Sequence, residues 1–252
     1  MALRARFLLA GSERVALTSA TEKQYFSFRR GALSRPINLG LYTDEEDHVT
    51  ALLDSFRGGF VGATSEGIVR ATYLIAFSVF AANDVYEVGR KASATFFEVL
   101  IGHIFARALG ISPRKKIRIP ESGADLPPDY VFDPGPNSRK IHLPIKTSTR
   151  ERGVQAWVHQ LVLDRIFGNG QYRGIFVVGA ETKRDNRTGA VIEICIPRQL
   201  QMFQARVSEI TRIYYLDPPL PYLALARADA FPRIEVRSFG LALGELNGLL
   251  HH

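Results

Sequence analysis

Cysteine is nearly absent from this 252-residue chain: Cys195 is the only one. A single thiol excludes an intramolecular disulfide framework and a cysteine-based metal site, and it suits a reducing compartment. His103, His142 and His159 lack the spacing of a metal site; His103 reads as helix packing and His142 as a cleft-facing polar group. The sequence has no phosphate-cradling Gly-Lys-Ser/Thr loop and no Gly-x-Gly-x-x-Gly turn, so the common nucleotide-binding loops are excluded. Long apolar runs are missing too. Residues 7–10 are too short for a signal peptide, and residues 71–82 fall short of a bilayer span and read as a buried helix. No basic amphipathic helix suited to a membrane surface is evident, and there are no repeats or low-complexity segments.

What is present is a globular composition with a basic tilt. With 46% hydrophobic and 23% charged residues, the chain can bury one large core. A net charge of +7 favours a polyanionic partner without specifying a fold. Residues 26–31 with Arg35-Pro36 form a basic, aromatic segment: an arm touching a partner, or a solvated strand and turn. Thr43-Asp44-Glu45-Glu46 reads as a capping box opening a helix to Arg57. Residues 66–83 read as an internal helix, apolar nearly all round. Gly89 opens a third helix that runs to Leu109 and is capped by Gly110.

Downstream, residues 117–119 suggest a short strand and 120–128 an irregular loop. Residues 151–167 suggest a helix with Val154, Trp157, Val158, Leu161 and Val162 on its apolar stripe. Residues 174–180 and 190–196 read as buried strands joined by a charged turn at 183–187. Pro197 starts a helix to about Val207, and strands follow at 213–216 and 234–236. The expected architecture is α/β or α+β: a central mixed sheet flanked by helices. A mostly helical N-terminal region, 1–88, would precede a core at 89–252, or the two would form one continuous domain.

The densest chemical signal lies between residues 128 and 150. Tyr130-Val131-Phe132 is a short strand, residues 133–138 are a dense turn signal, and residues 141–149 alternate strictly. Ile141, Leu143 and Ile145 face one way; His142, Pro144, Lys146, Ser148 and Arg150 face the other. Folding this stretch as a hairpin sets Asp129 nearly opposite Lys146. Alone, that could be a plain cross-strand ion pair of little energetic weight. Glu98, the only acid of its helix, has no cation three or four residues away. It either reaches solvent or binds something, because burying an unpaired carboxylate is costly.

A helix bearing Glu98, then Pro128-Asp129 at a strand start, then Lys146 in the next strand 17 positions on, then another helix, resembles the PD-(D/E)XK nuclease superfamily. Within it the order is similar to that of type II restriction endonucleases, over residues 90–196. The resemblance implies Mg²⁺-dependent, sequence-specific hydrolysis of double-stranded DNA by a homodimer in the prokaryotic cytoplasm. It also implies a cognate methyltransferase that protects the host's own sites. It makes Asp129, Glu98 and the Ile145 carbonyl the metal ligands, and Lys146 the group that orients or deprotonates the attacking water or stabilises phosphate charge. Pro144 departs from the pattern, which usually has an acid two residues before the lysine. Some members carry that carboxylate about 14 residues after the lysine, where this chain has Gln160, a possible polar helper. Asp133 and Glu181 are weaker substitutes.

Residues 139–152 hold five basic residues and one acid. Ser148, Arg150 and Arg152 are expected to contact DNA phosphates, and Lys183 and Arg184 to reach a groove from a charged loop. Two other readings stand beside this one. The first is a repair or recombination nuclease of the same superfamily that reads DNA structure. The second is a basic DNA-binding protein without catalysis, in which Asp129–Lys146 is only an ion pair.

Overall fold

A computed structural model describes residues 1–136, 138–150, 153–227 and 229–251. The chain opens with α1 (Ala2–Leu9) and an antiparallel sheet of β1 (Glu13–Leu17), β2 (Tyr25–Arg30), β3 (Ala32–Leu33) and β4 (Ile37–Asn38). The basic, aromatic segment is therefore mostly strand: β2 buries Tyr25, Phe26 and Phe28 and exposes Arg29 and Arg30. The N-terminal part adds this sheet to its helices.

Three helices follow: α2 (Glu46–Arg57), α3 (Ser65–Val85) and α4 (Arg90–Leu109). The expected capping box does not form. Helix α2 starts two residues after Asp44, with no side-chain cap, because the Thr43 hydroxyl instead accepts from the Glu45 amide within a tight turn. The Thr64 hydroxyl caps α3. By length and composition, both Ser65–Val85 and Lys91–Leu109 are long and apolar enough to cross a membrane. In α3, however, 83% of that stretch is buried inside the protein, as a core helix would be.

The rest of the chain contains a small hairpin of β5 (Ile117–Arg118), where the sequence suggests a short strand, and β6 (Asp125–Leu126), where it suggests loop. Then come β7 (Tyr130–Phe132), β8 (Lys140–Leu143), β9 (Ile145–Lys146), α5 (Val154–Phe167), β10 (Tyr172–Ala180), β11 (Thr182–Arg184) and β12 (Val191–Glu193). They are followed by α6 (Pro197–Arg206), β13 (Arg212–Asp217), α7 (Leu220–Leu223), β14 (Val236–Ser238) and α8 (Ala242–His251). The central sheet runs β14-β13-β10-β8-β7, with β9 also on β10. Only the β7–β8 pairing is antiparallel, so the sheet is mixed as expected. β12 departs from expectation: it pairs with β11 in a separate ribbon and not in the central sheet. Its Glu193 turns inward to bind Lys23, so it does not read as a buried apolar strand.

Alternation along β10 and β13 builds a core on each face. Ile175, Val177, Tyr214 and Leu216 pack with α3, α4, α8 and the N-terminal sheet. Phe176, Val178, Ile213 and Tyr215 pack with Trp157 of α5 and Leu200 of α6. The first of these clusters includes both Phe26 and Ile145, so one core joins the N-terminal elements to the sheet. A buried polar knot reinforces that join: Lys23 Nζ donates to Asp217 (2.8 Å) and Glu193 (2.8 Å), and Asn38 donates to Asp217.

Helix α5 buries Ala156, Trp157, Gln160 and Leu163, whereas Val154 and Val158 are exposed. The inward face is rotated from the apolar stripe because Gln160, a polar residue, is buried through hydrogen bonds to its neighbours.

Candidate active site

Three elements converge on Asp129. Helix α4 crosses β7 closely at Gly102, where a Cβ would lie 2.5 Å from the Tyr130 ring. Glu98 stands one turn before Gly102 on the same side of the helix, and Asp129 immediately precedes Tyr130. That close approach brings the two carboxylates near each other. Lys146 arrives from β9.

The register of the hairpin explains how. Tyr130 pairs with Leu143 and Phe132 with Ile141, so Asp129 falls opposite Pro144. Proline has no N–H to give the ladder, and the β7–β8 pairing stops there. The Ile145 amide instead donates to Asp129 Oδ2 at 2.7 Å, and Lys146 Nζ donates to the same oxygen at 2.7 Å. The predicted Asp129–Lys146 juxtaposition is therefore present, with Lys146 two residues beyond the position opposite Asp129 and the contact set by the break at Pro144. Each side chain of the pair is 20% exposed. In the parallel β9–β10 pairing, Val177 bonds to Pro144, so the Ile145 N–H and carbonyl both lie on the opposite edge, toward Asp129.

Burial pushes the Glu98 carboxyl up from its ordinary 4.5, and the negative charge of Asp129 pushes it further, against the pull of Lys146 and Lys115. Glu98 has no hydrogen bond or ion pair among the described residues. A hard divalent cation between Glu98 and Asp129 would relieve both penalties, so this all-oxygen donor set fits Mg²⁺. Among the described residues no three His, Cys, Asp or Glu side chains already converge into a metal cage.

Other predicted residues lie elsewhere. His142 is fully buried, not cleft-facing; its Nδ1 lies 3.1 Å from Gln160 Oε1, and burial pushes its imidazole down to about 4. Gln160 is 1% exposed and also donates to Asp164 and to the Tyr172 carbonyl, so it braces His142 from within the fold. His103 is exposed beside Phe56. Asp133 pairs with Lys140 (2.8 Å) at the turn. Ser148 donates to Glu181, and Arg150 Nε donates to Ser148. Lys183 is exposed on the β11–β12 ribbon, while Arg184 donates to the Leu33 carbonyl. Arg152 lies outside the described residues.

Two residues near the pair were not foreseen. His159 of α5 is half-buried, its ring 6.1 Å from that of His142, and both Asp129 and Lys146 act on it electrostatically. Lys115 sits over the Tyr130 ring at 4.9 Å and acts on Glu98. Histidine on a helix and lysine in a basic cluster gave no distinguishing pattern in the sequence.

The chain superposes on the crystal structure of the type IIP restriction endonuclease Kpn2I with a TM-score of 0.84, at 24% identity, over 98% of this chain and 88% of that one. The fold is that of a restriction endonuclease. A second solved structure, a complex of restriction endonuclease PspGI with substrate DNA, matches with a TM-score of 0.49 at 13% identity, over 81% of this chain and 92% of that one. No protein-family model and no curated protein matches the sequence. In this fold the order read from the sequence becomes α4 with Glu98, Asp129 immediately before β7, Lys146 in β9, and then α5.

Proposed function

We propose that this protein is a type II restriction endonuclease: a Mg²⁺-dependent enzyme that hydrolyses phosphodiester bonds in double-stranded DNA at a fixed sequence. The observation that carries this reading is the 2.7 Å contact between Lys146 and Asp129, with the unpaired Glu98 beside them, on a restriction-endonuclease fold. Asp129, Glu98 and the Ile145 carbonyl would hold the metal. When bound, Mg²⁺ supplies positive charge to the phosphate and acidifies water.

The protein's own groups do the rest. The Ile145 amide fixes the Asp129 carboxylate so that it does not turn away. Lys146 orients the attacking water and either takes its proton, as the neutral amine, or, as the ammonium, donates to the phosphate oxygens as charge grows there. Arg150 contacts the DNA, with Ser148 behind it; Lys183 and Arg184 add positive charge along the path of the duplex. A homodimer would set one such site against each strand of a palindrome. In a prokaryotic cytoplasm, a cognate methyltransferase would shield the host's own copies of that sequence.

The non-catalytic reading draws on one observation: Asp129 and Lys146 already satisfy each other at 2.7 Å. Digestion of long unmethylated duplex DNA separates the readings. Fragments whose sequenced ends share one motif, formed only with Mg²⁺, support the proposal. A smear points to a structure-reading nuclease. Metal-independent DNA binding without cleavage on several DNAs points to the non-catalytic protein.

A further inference from the structure

Glu181 is a buried carboxylate that the proposed chemistry does not use. It lies at the carboxyl end of β10 and is fully buried. Its Oε1 accepts from the Thr149 amide (2.7 Å), the Thr149 hydroxyl (2.6 Å) and the Tyr215 hydroxyl (3.1 Å), and its Oε2 accepts from the Ser148 hydroxyl (3.0 Å). No cation is among these partners. A charge buried this way is expensive, and burial raises its carboxyl above the ordinary range despite the four donors. Saturated like this, Glu181 is not free to serve as the second metal carboxylate.

Its partners explain what it does instead. Three of the four bonds go to Ser148 and Thr149, in the segment that leaves Lys146 and leads toward α5. The Ser148 oxygen, having given its only proton to Glu181, presents lone pairs to Arg150, accepting from Nε at 2.9 Å and from the backbone amide at 3.3 Å. Arg150 is exposed, and its guanidinium is held at one edge by the Ser148 oxygen. Below, the segment lies directly on β10: a Cβ at Gly179 would come within 2.9 Å of the Thr147 carbonyl. Tyr215 ties the same carboxylate to β13.

We propose that Glu181 is a positioning residue: it clamps the 147–150 segment to the sheet and, through the Ser148 hydroxyl, aims Arg150 at the DNA. This rests on the reading that Arg150 faces DNA, but the clamp itself can be measured without DNA. In Glu181→Gln the amide NH₂ replaces the oxygen that accepts from Ser148, and the remaining oxygen, now neutral, holds the Thr149 amide and hydroxyl more weakly, with little change in shape. Hydrogen exchange on the free protein should show faster exchange across residues 147–150 and unchanged protection elsewhere. Protection equal to wild type in that segment would overturn the clamp.

The consequence for DNA is read by anisotropy with random-sequence duplexes and chelator. Glu181→Gln and Ser148→Ala should each weaken binding by about 10-fold, the scale of one charge-assisted hydrogen bond. Neither should weaken it further in an Arg150→Ala background. Additive losses would mean that Glu181 acts only on general stability and would overturn the relay. Ser148→Ala keeps the Thr149 bonds, so it tests the relay even if Glu181→Gln folds poorly. A wild-type protein that does not bind duplex DNA would instead sink the functional reading, with the exchange result still deciding the clamp.

Discussion

At Glu98 two costs coincide, partial burial and a neighbouring carboxylate, and both act against its ionised form. The sign follows directly. A carboxyl whose folded pKa is raised contributes stability below its unfolded pKa and loses it as pH rises through the folded value. Ionised Glu98 therefore weakens the metal-free fold at neutral pH. Glu98→Gln should raise the melting temperature at pH 8 without metal, and that gain should vanish as pH falls below about 4. The same variant should cut Mg²⁺-dependent cleavage by on the order of 100-fold or more, because losing a metal ligand costs at least as much as losing a group one step removed from the metal. Undiminished cleavage in a rate assay would remove Glu98 from the metal site. Asp129→Ala should lose cleavage altogether yet bind DNA more tightly in chelator, because a fixed anion leaves the phosphate's path; weaker binding in a gel shift would contradict that. Asp129 and Lys146 were legible because Pro-Asp and an alternating strand mark them. Glu181 stands in the sequence as an acid ending an apolar run and a weaker candidate for the metal carboxylate; nothing in that run announces its four hydrogen bonds.

Among the elements, α4, β7 and the β8–β9 break carry the site. Gly102 lets α4 lie against Tyr130, so Gly102→Ala should force them apart. Overpacking costs about 1–3 kcal/mol, and the better helix propensity of alanine returns about 1 kcal/mol. Denaturant titration should then show a net loss of up to about 2 kcal/mol, and cleavage should fall as Glu98 withdraws from Asp129. Stability unchanged together with full activity would show that α4 need not approach so closely. Behind the strands, His142 is held neutral near pKa 4 by burial, against an ordinary 6.5. The unfolded chain takes up that proton first, so stability should be lost as pH falls from about 6.5 toward 4, by about 3 kcal/mol in all. Urea titrations of His142→Gln should lack that slope; an unchanged slope would assign it to other groups. The element order was largely readable, because α3, α4 and β10 have strong periodicity or continuous apolar runs. The α5 face was misjudged because buried Gln160 breaks its stripe, and the α2 start because Thr43 spends its hydroxyl on a turn.

For the molecule as a whole, the N-terminal sheet was the least legible part. Its strands are short, and β3 and β4 have two residues each, too few to show a period. They are held by long-range contacts such as Asn38–Asp217 and Lys23–Asp217, which no local pattern encodes. The restriction-endonuclease fold, by contrast, was foreshadowed by element order around three residues and is borne out over 98% of the chain. The central claim is that the Asp129–Lys146 edge hydrolyses DNA with Mg²⁺. The most direct measurement runs wild type and Lys146→Ala side by side on unmethylated duplex DNA, with Mg²⁺ and with chelator, and follows DNA binding in the same samples. The account predicts discrete fragments from wild type with Mg²⁺ only, at least about 100-fold slower cleavage by the variant, and similar DNA affinity for both. Equal cleavage by Lys146→Ala, or cleavage that persists in chelator, would contradict it.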